Sequence, residues 1–193
     1  MINYTMHHSG PLIFQTKLNE TEVSNVLKLC KKDKSLDARK KLVGSIDHEY
    51  DIKDLNKLTS ILKPYLNAFL DAHKRWYASE KSIYMSMGWV NYMTAGDFNP
   101  MHIHSDCDFS SVLFLKVPKN LEKEQKEAVV ALGGKAGFLN FFIHSPTKGY
   151  IPSFDHNPKP GDFFIFPSTL NHSVNTFKSK GERISVACNF VYD

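Results

Sequence analysis

Within the segment Asn91–Asp106 the chain sets His102, His104 and Asp106 two residues apart. In an extended strand, residues at that spacing project to one side. Either His104 with Asp106 or His102 with His104 could therefore grip one metal ion. A third ligand must come from a distant stretch, and His172 is the best candidate: it follows the apolar run Asp162-Phe-Phe-Ile-Phe-Pro167 and begins another strand. Two imidazoles and one carboxylate on one face of an ion leave three adjacent positions open, which lets non-haem Fe(II) take a chelating molecule and O2 side by side. A His-x-Asp pair alone is weak, because it arises often by chance on a polar surface. The odds rise with Arg183-Ile-Ser185, which lies eleven residues past His172, opens the last strand and again puts two polar side chains on one face. A guanidinium beside a hydroxyl suits a carboxylate, which it can bind through two parallel hydrogen bonds. The bland alternative is an arginine snorkelling at a strand end. His7, His8, His48 and His73 read as terminus, loop and helix-face residues, and His144 and His156 flank loops and could line a pocket without ligating metal.

Positioning these groups falls to elements whose hydrophobic period changes along the chain. Pro11 to Leu18 reads as a short strand. Asn19 and Glu22 form a capping box, and Val23, Val26, Leu27 and Cys30 recur at helical spacing to about Lys32. Residues 33–50 are polar and read as a loop. A second helix spans about Asp51 to Trp76 on Leu55, Leu58, Leu62, Leu66, Phe69 and Leu70, with Pro64 expected to kink or divide it. After Ala78 the period becomes two. Strands are predicted within Ile83–Met93 and at Ser111–Val117, Gly137–Phe142, Asp162–Phe166, His172–Phe177 and Arg183–Tyr192, with a short polar helix somewhere in residues 119–136. Helices first and strands afterwards indicate an α+β chain whose strand half is a sandwich or barrel with the helices packed on one outer face. We read it as one domain over residues 1–193, with the N-terminal strand and helices in 1–80 and the strand core in 81–193.

Composition narrows the classes. With 193 residues, 42% hydrophobic and 23% charged, the chain can bury a sizeable core without disulfides. A net charge of +4 is too mild to argue for nucleic acid. Cys30, Cys107 and Cys188 are odd in number and form no Cys-x-x-Cys pair, which favours a reducing, cytoplasmic setting (the host cytoplasm if a phage encodes the chain). No apolar run approaches the roughly 20 residues that span a bilayer, so no membrane partner is expected. The reading leaves room for a homodimer and does not identify a small-molecule or protein substrate.

Taken together, Trp89-Val-Asn91, Gly96-Asp-Phe-Asn99, His102-Ile-His104, Ser110 to Pro118, Pro160 to Ser168, His172 and Arg183 to Phe190 resemble the 2-oxoglutarate/Fe(II)-dependent oxygenase superfamily, most closely a branch frequent in marine bacteria and their phages. The resemblance covers about residues 83–191. It implies a double-stranded β-helix (jelly roll), and Fe(II), 2-oxoglutarate and O2 as cofactor and co-substrates. It implies that His104, Asp106 and His172 are ligands, that Arg183 and Ser185 hold the far carboxylate of 2-oxoglutarate, and that Tyr92 hydrogen-bonds the co-substrate. In that branch His-x-His is the more regular pair, so His102 could replace Asp106. The carboxylate is preferred here because it lowers the charge of the ferrous centre, and His102 would then support the ligands or face the substrate. The implied reaction couples 2-oxoglutarate decarboxylation to oxidation of a substrate, most often hydroxylation. Rivals are a cupin-like metal enzyme without 2-oxoglutarate, which three histidines would favour, and a non-catalytic β-sandwich binding protein. Geometry adds a condition. A plain hairpin turning at Lys178–Glu182 would leave His172 about 17 Å from Arg183, so the two strands must belong to facing sheets for both side chains to share a cavity.

Overall fold

The computed structural model describes residues 10–77, 81–130, 133–143 and 153–193. Strand β1 (Phe14–Lys17) leads into helix α1 (Glu20–Leu29). The helix starts at Asn19 because the Asn19 side chain accepts from the Glu22 amide and the Glu22 carboxylate accepts from the Asn19 amide, both at 2.9 Å. Two 3-10 turns and strand β2 (Glu49–Asp51) occupy much of the segment read as a loop. Helix α2 (Leu55–Tyr77) runs unbroken through Pro64. Pro64 is on the exposed side, where its ring meets solvent and the carbonyl it orphans can bind water. Leu58, Leu62, Leu66 and Phe69 meanwhile hold the opposite face to the core.

Eight strands follow: β3 (Ile83–Met93), β4 (Asn99–His102), β5 (Phe109–Lys116), β6 (Leu139–Phe142), β7 (Ser153–His156), β8 (Asp162–Pro167), β9 (His172–Val174) and β10 (Arg183–Tyr192). Between β5 and β6 lies the short helix α3 (Leu121–Lys126). Strands β4 and β7 carry too little apolar alternation to be legible in the sequence. The strands form a six-stranded sheet in the order β1-β8-β5-β10-β3-β2 and a four-stranded sheet in the order β4-β9-β6-β7. The N-terminal segment thus contributes both edge strands of the larger sheet as well as the helices that cover it. Strands β9 and β10 lie in different sheets, so His172 and Arg183 meet the condition set by their separation.

Period-two alternation decides what each face of the larger sheet carries. Val90, Tyr92, Phe163, Ile165, Ile184 and Val186 pack toward α1 and α2. Their neighbours Met93, Phe164 and Phe166 enter the space between the sheets, where Val112, Phe114, Leu139 and Phe141 meet them. Arg183 and Ser185, on the same strand as Ile184 and Val186, are carried into that interior by the same rule. One tight approach joins the N-terminal segment to the sandwich: Gly161 accepts from the Leu18 amide and donates to the Phe114 carbonyl, at 2.9 and 2.8 Å. Its φ is +92°, and a Cβ there would stand 2.5 Å from the Leu18 carbonyl oxygen. Gly161→Ala is therefore expected to destabilise the fold by more than about 1 kcal/mol, read as a lowered urea midpoint. An unchanged midpoint would contradict the proposed strain.

Candidate active site

Strands β4 and β9 pair antiparallel with His102 directly opposite His172, and His104 follows two residues later. The ring centroids lie 4.2 Å apart for His102–His172 and 5.2 Å apart for His102–His104 and His104–His172. One ring nitrogen from each falls within 4.8 Å of the other two. Nδ1 of His102 lies 2.7 Å from the Pro100 carbonyl and Nδ1 of His172 lies 2.9 Å from the Leu170 carbonyl. A carbonyl only accepts, so in each case Nδ1 carries the proton and Nε2 keeps its lone pair for a metal. Phe166 packs edge-on to His172 at 4.8 Å.

Asp106 is exposed and is not in this cluster; His102 stands where the carboxylate was preferred. The physical reason is local. Strand β4 ends at His102 and the chain bends at Ser105–Asp106, so same-face spacing no longer applies by Asp106. The His104 amide is tied to the Ser168 carbonyl at 2.9 Å, which keeps His104 beside β9.

The same cavity receives Arg183 and Ser185. Arg183 is 1% exposed, and its Nε and Nη2 have no partner. Nη1 reaches only the Met93 sulfur, a weak acceptor, at 2.7 Å, and the Phe114 ring covers the guanidinium at 4.7 Å. Burial lowers its pKa to about 9, and no ion pair of Arg183 is present among the described residues. A buried cation without a counter-charge is costly, so an arginine kept in this state fits an acid-binding role. Tyr92, by contrast, is on the opposite face of β3, packed against Tyr50 with the Lys32 ammonium over its ring. Residues directly before and after it, Asn91 and Met93, face the cavity instead. The expected contact of Tyr92 with a co-substrate is thus corrected by strand alternation.

Trp89, Asn99, His102 and His104 separate this narrow inner space from an outer pocket of about 500 Å³. Residues 41–44 and Glu49 form part of the outer wall; that wall was unreadable in a segment taken as a loop. Asn91 and Asn99 were legible only as motif members, although an asparagine amid the apolar run of β3 was a usable signal. Of the remaining histidines, His156 pairs with Asp162 at 2.8 Å, His48 stacks on Tyr50 and His73 packs on Phe69 and Phe109. His7, His8 and His144 lie outside the described residues.

Burial, and then the neighbouring His102, depresses His104 to about 4 and His172 to about 3; burial also lowers His102. Unfolded histidines bind protons below about 6.5. Stability from keeping these rings neutral is present above that pH and is lost as pH falls toward about 4. Glu49 runs the other way, since burial and then Asp97 raise it to about 7, but it is one group against three. Metal-free protein in chelator should therefore have a lower urea midpoint at pH 5 than at pH 7. An equal or higher midpoint at pH 5 would speak against buried neutral imidazoles.

Three imidazoles converge on one point where they could hold a metal ion, and a guanidinium without a partner among the described residues enters the same cavity. Residues 87–189, just over half of the chain, match the family described as "Putative 2OG-Fe(II) oxygenase", and the chain belongs to that family. The family is one of enzymes that use Fe(II), 2-oxoglutarate and O2. Solved structures agree in fold. An oxidoreductase of the 2OG-Fe(II) oxygenase family from Burkholderia pseudomallei is 14% identical, with a TM-score of 0.59 over 93% of this chain and 84% of that one. A Pseudomonas putida prolyl-4-hydroxylase is 17% identical, with a TM-score of 0.58 over 94% and 92%. The viral collagen prolyl hydroxylase of Paramecium Bursaria Chlorella virus-1, in its 2OG complex, is 13% identical, with a TM-score of 0.57 over 92% and 94%. No curated protein sequence matches the chain. No helix among the described residues is long and apolar enough to cross a membrane.

Proposed function

We propose that His102, His104 and His172 hold Fe(II), that Arg183 and Ser185 hold the far carboxylate of 2-oxoglutarate, and that the enzyme hydroxylates a substrate seated in the outer pocket. The observation that carries this reading is the convergence of three imidazoles on the cavity that buries an unpaired arginine. Strands β3 to β10 alternate between the sheets, except that the consecutive pair β6–β7 stays in the smaller one, an order that suits a double-stranded β-helix, and two structures of similar fold are prolyl hydroxylases.

When bound, iron and the 2-oxo acid supply the O2-dependent oxidative chemistry. The chain's own residues orient and exclude. The Pro100 and Leu170 carbonyls fix the His102 and His172 rings with their lone pairs turned to the ion. Arg183 neutralises and aligns the distal acid, with the Ser185 hydroxyl on the same strand face. Val112, Leu139, Phe166 and Val174 line the inner space and keep water from it.

Three neutral ligands also suit a cupin-like enzyme without 2-oxoglutarate. The orphaned guanidinium favours the co-substrate reading, because such an enzyme has no evident need of a buried acid receptor. The test is succinate formation by purified protein, with iron and 2-oxoglutarate each supplied and each withheld. Succinate is expected only when both are present. Substrate oxidation at full rate without 2-oxoglutarate would support the cupin-like reading instead.

A further inference from the structure

The outer pocket holds an acid that the metal and the co-substrate do not use. Glu49 on β2 is opposite Asn91 on β3, which is opposite Ser185 on β10. Directly opposed residues share a sheet face, so this row runs from the co-substrate subsite to the outer wall. Glu49 is 1% exposed and its Oε2 has no hydrogen-bond partner; Oδ1 of Asn91 and of Asn99 are likewise buried without one. Three orphaned acceptors thus stand along one path beside the histidines. The nearby cations are each paired with another acid, Lys41 with Asp51 at 2.6 Å and Arg39 with Asp37 at 2.6 Å, although Arg39 still partly offsets the charge at Glu49. Asp97 is held by the Thr94 amide and hydroxyl and adds negative potential at Glu49. The second carboxylate on the pocket wall is Asp106, and the one lysine there, Lys41, is already paired with Asp51. Val43 and Ile103 supply exposed apolar surface on the same wall.

We propose that Glu49 is the selectivity residue of the outer pocket, and that the oxidised substrate carries a basic nitrogen, an ammonium or guanidinium on an apolar stem, which docks on the Glu49 carboxylate. This rests on the oxygenase reading above and names the substrate class for it. A purely structural acid would be partnered by a backbone amide or a fixed cation. Among the described residues nothing donates to Oε2. A volume near 500 Å³ suits a small molecule or one side chain.

Hexylammonium and hexanol are matched probes, alike in stem and different in charge. Their affinities would be measured calorimetrically for anaerobic holoprotein loaded with Fe(II) and 2-oxoglutarate, for metal-free protein, and for Glu49→Gln in both states. Wild type should prefer hexylammonium by at least about tenfold, equivalent to about 1.4 kcal/mol. Glu49→Gln should reduce that preference to within about twofold while 2-oxoglutarate affinity is retained. A preference that survives in Glu49→Gln, no preference in wild type, or no detectable hexylammonium binding would each overturn the proposal. Should Glu49→Gln fail to fold, the wild-type comparison still decides. Failure of 2-oxoglutarate to bind would sink the oxygenase reading separately, since the ammonium preference is also read without metal.

Discussion

Replacing Arg183 by methionine should weaken 2-oxoglutarate binding by about two to three and a half orders of magnitude, the scale on which breaking a buried charge pair by removing one partner costs about 3–5 kcal/mol. The side chain is fully enclosed, its only hydrogen-bond acceptor among the described residues is a thioether, and burial lowers its pKa. The same substitution should not destabilise the ligand-free protein, and should raise its melting temperature if packing is kept, because it removes an unpaired buried charge. Wild type should gain thermal stability on adding 2-oxoglutarate with a redox-inert divalent metal, and the variant should not. Tyr92→Phe is the control: its ring faces the helices, and 2-oxoglutarate affinity should stay within about twofold of wild type. If Arg183→Met binds the co-substrate as wild type does, the acid anchor lies elsewhere.

Iron retention should separate His102 from Asp106 with the second-largest effect. His102→Ala removes one of three converging nitrogens and should lower metal affinity by about 10²-fold or more. That is at or beyond the upper end of the roughly 10–100-fold cost of losing a residue that merely supports a ligand. Asp106→Asn should keep stoichiometric iron, because its carboxylate is exposed and outside the cluster. Metal content after dialysis against a weak chelator is the measurement. The reverse pattern, with iron lost in Asp106→Asn and kept in His102→Ala, would restore the His-x-Asp reading.

The sequence made strand β10, the capping box at Asn19 and the shared cavity of His172 and Arg183 legible, because each rests on spacing within one element or on order along the chain. It favoured Asp106 over His102, whereas the cluster in the structure contains His102. Same-face spacing is a property of strands, and the point at which β4 stops depends on tertiary bonds such as His104 to Ser168. Tyr92 was misplaced for a related reason: a tyrosine in the right strand reads identically on either face until a partner fixes the register. Glu49 carried no signal at all. A three-residue strand has no period, and its place in the pocket wall comes from pairing with β3, whose other neighbour is β10.

The metal-facing imidazoles belong to the smaller sheet and the stretch just after its first strand, whereas the guanidinium hangs from the larger one. The span between the imidazole cluster and the guanidinium is therefore a calliper opening, set by the aromatic filling that holds the two layers apart. Trimming Phe141 or Phe166, both buried, would loosen that filling and leave a cavity beside the site. On the proposed reading, the thickness of the interior would limit the length of dicarboxylate that fits between iron and Arg183.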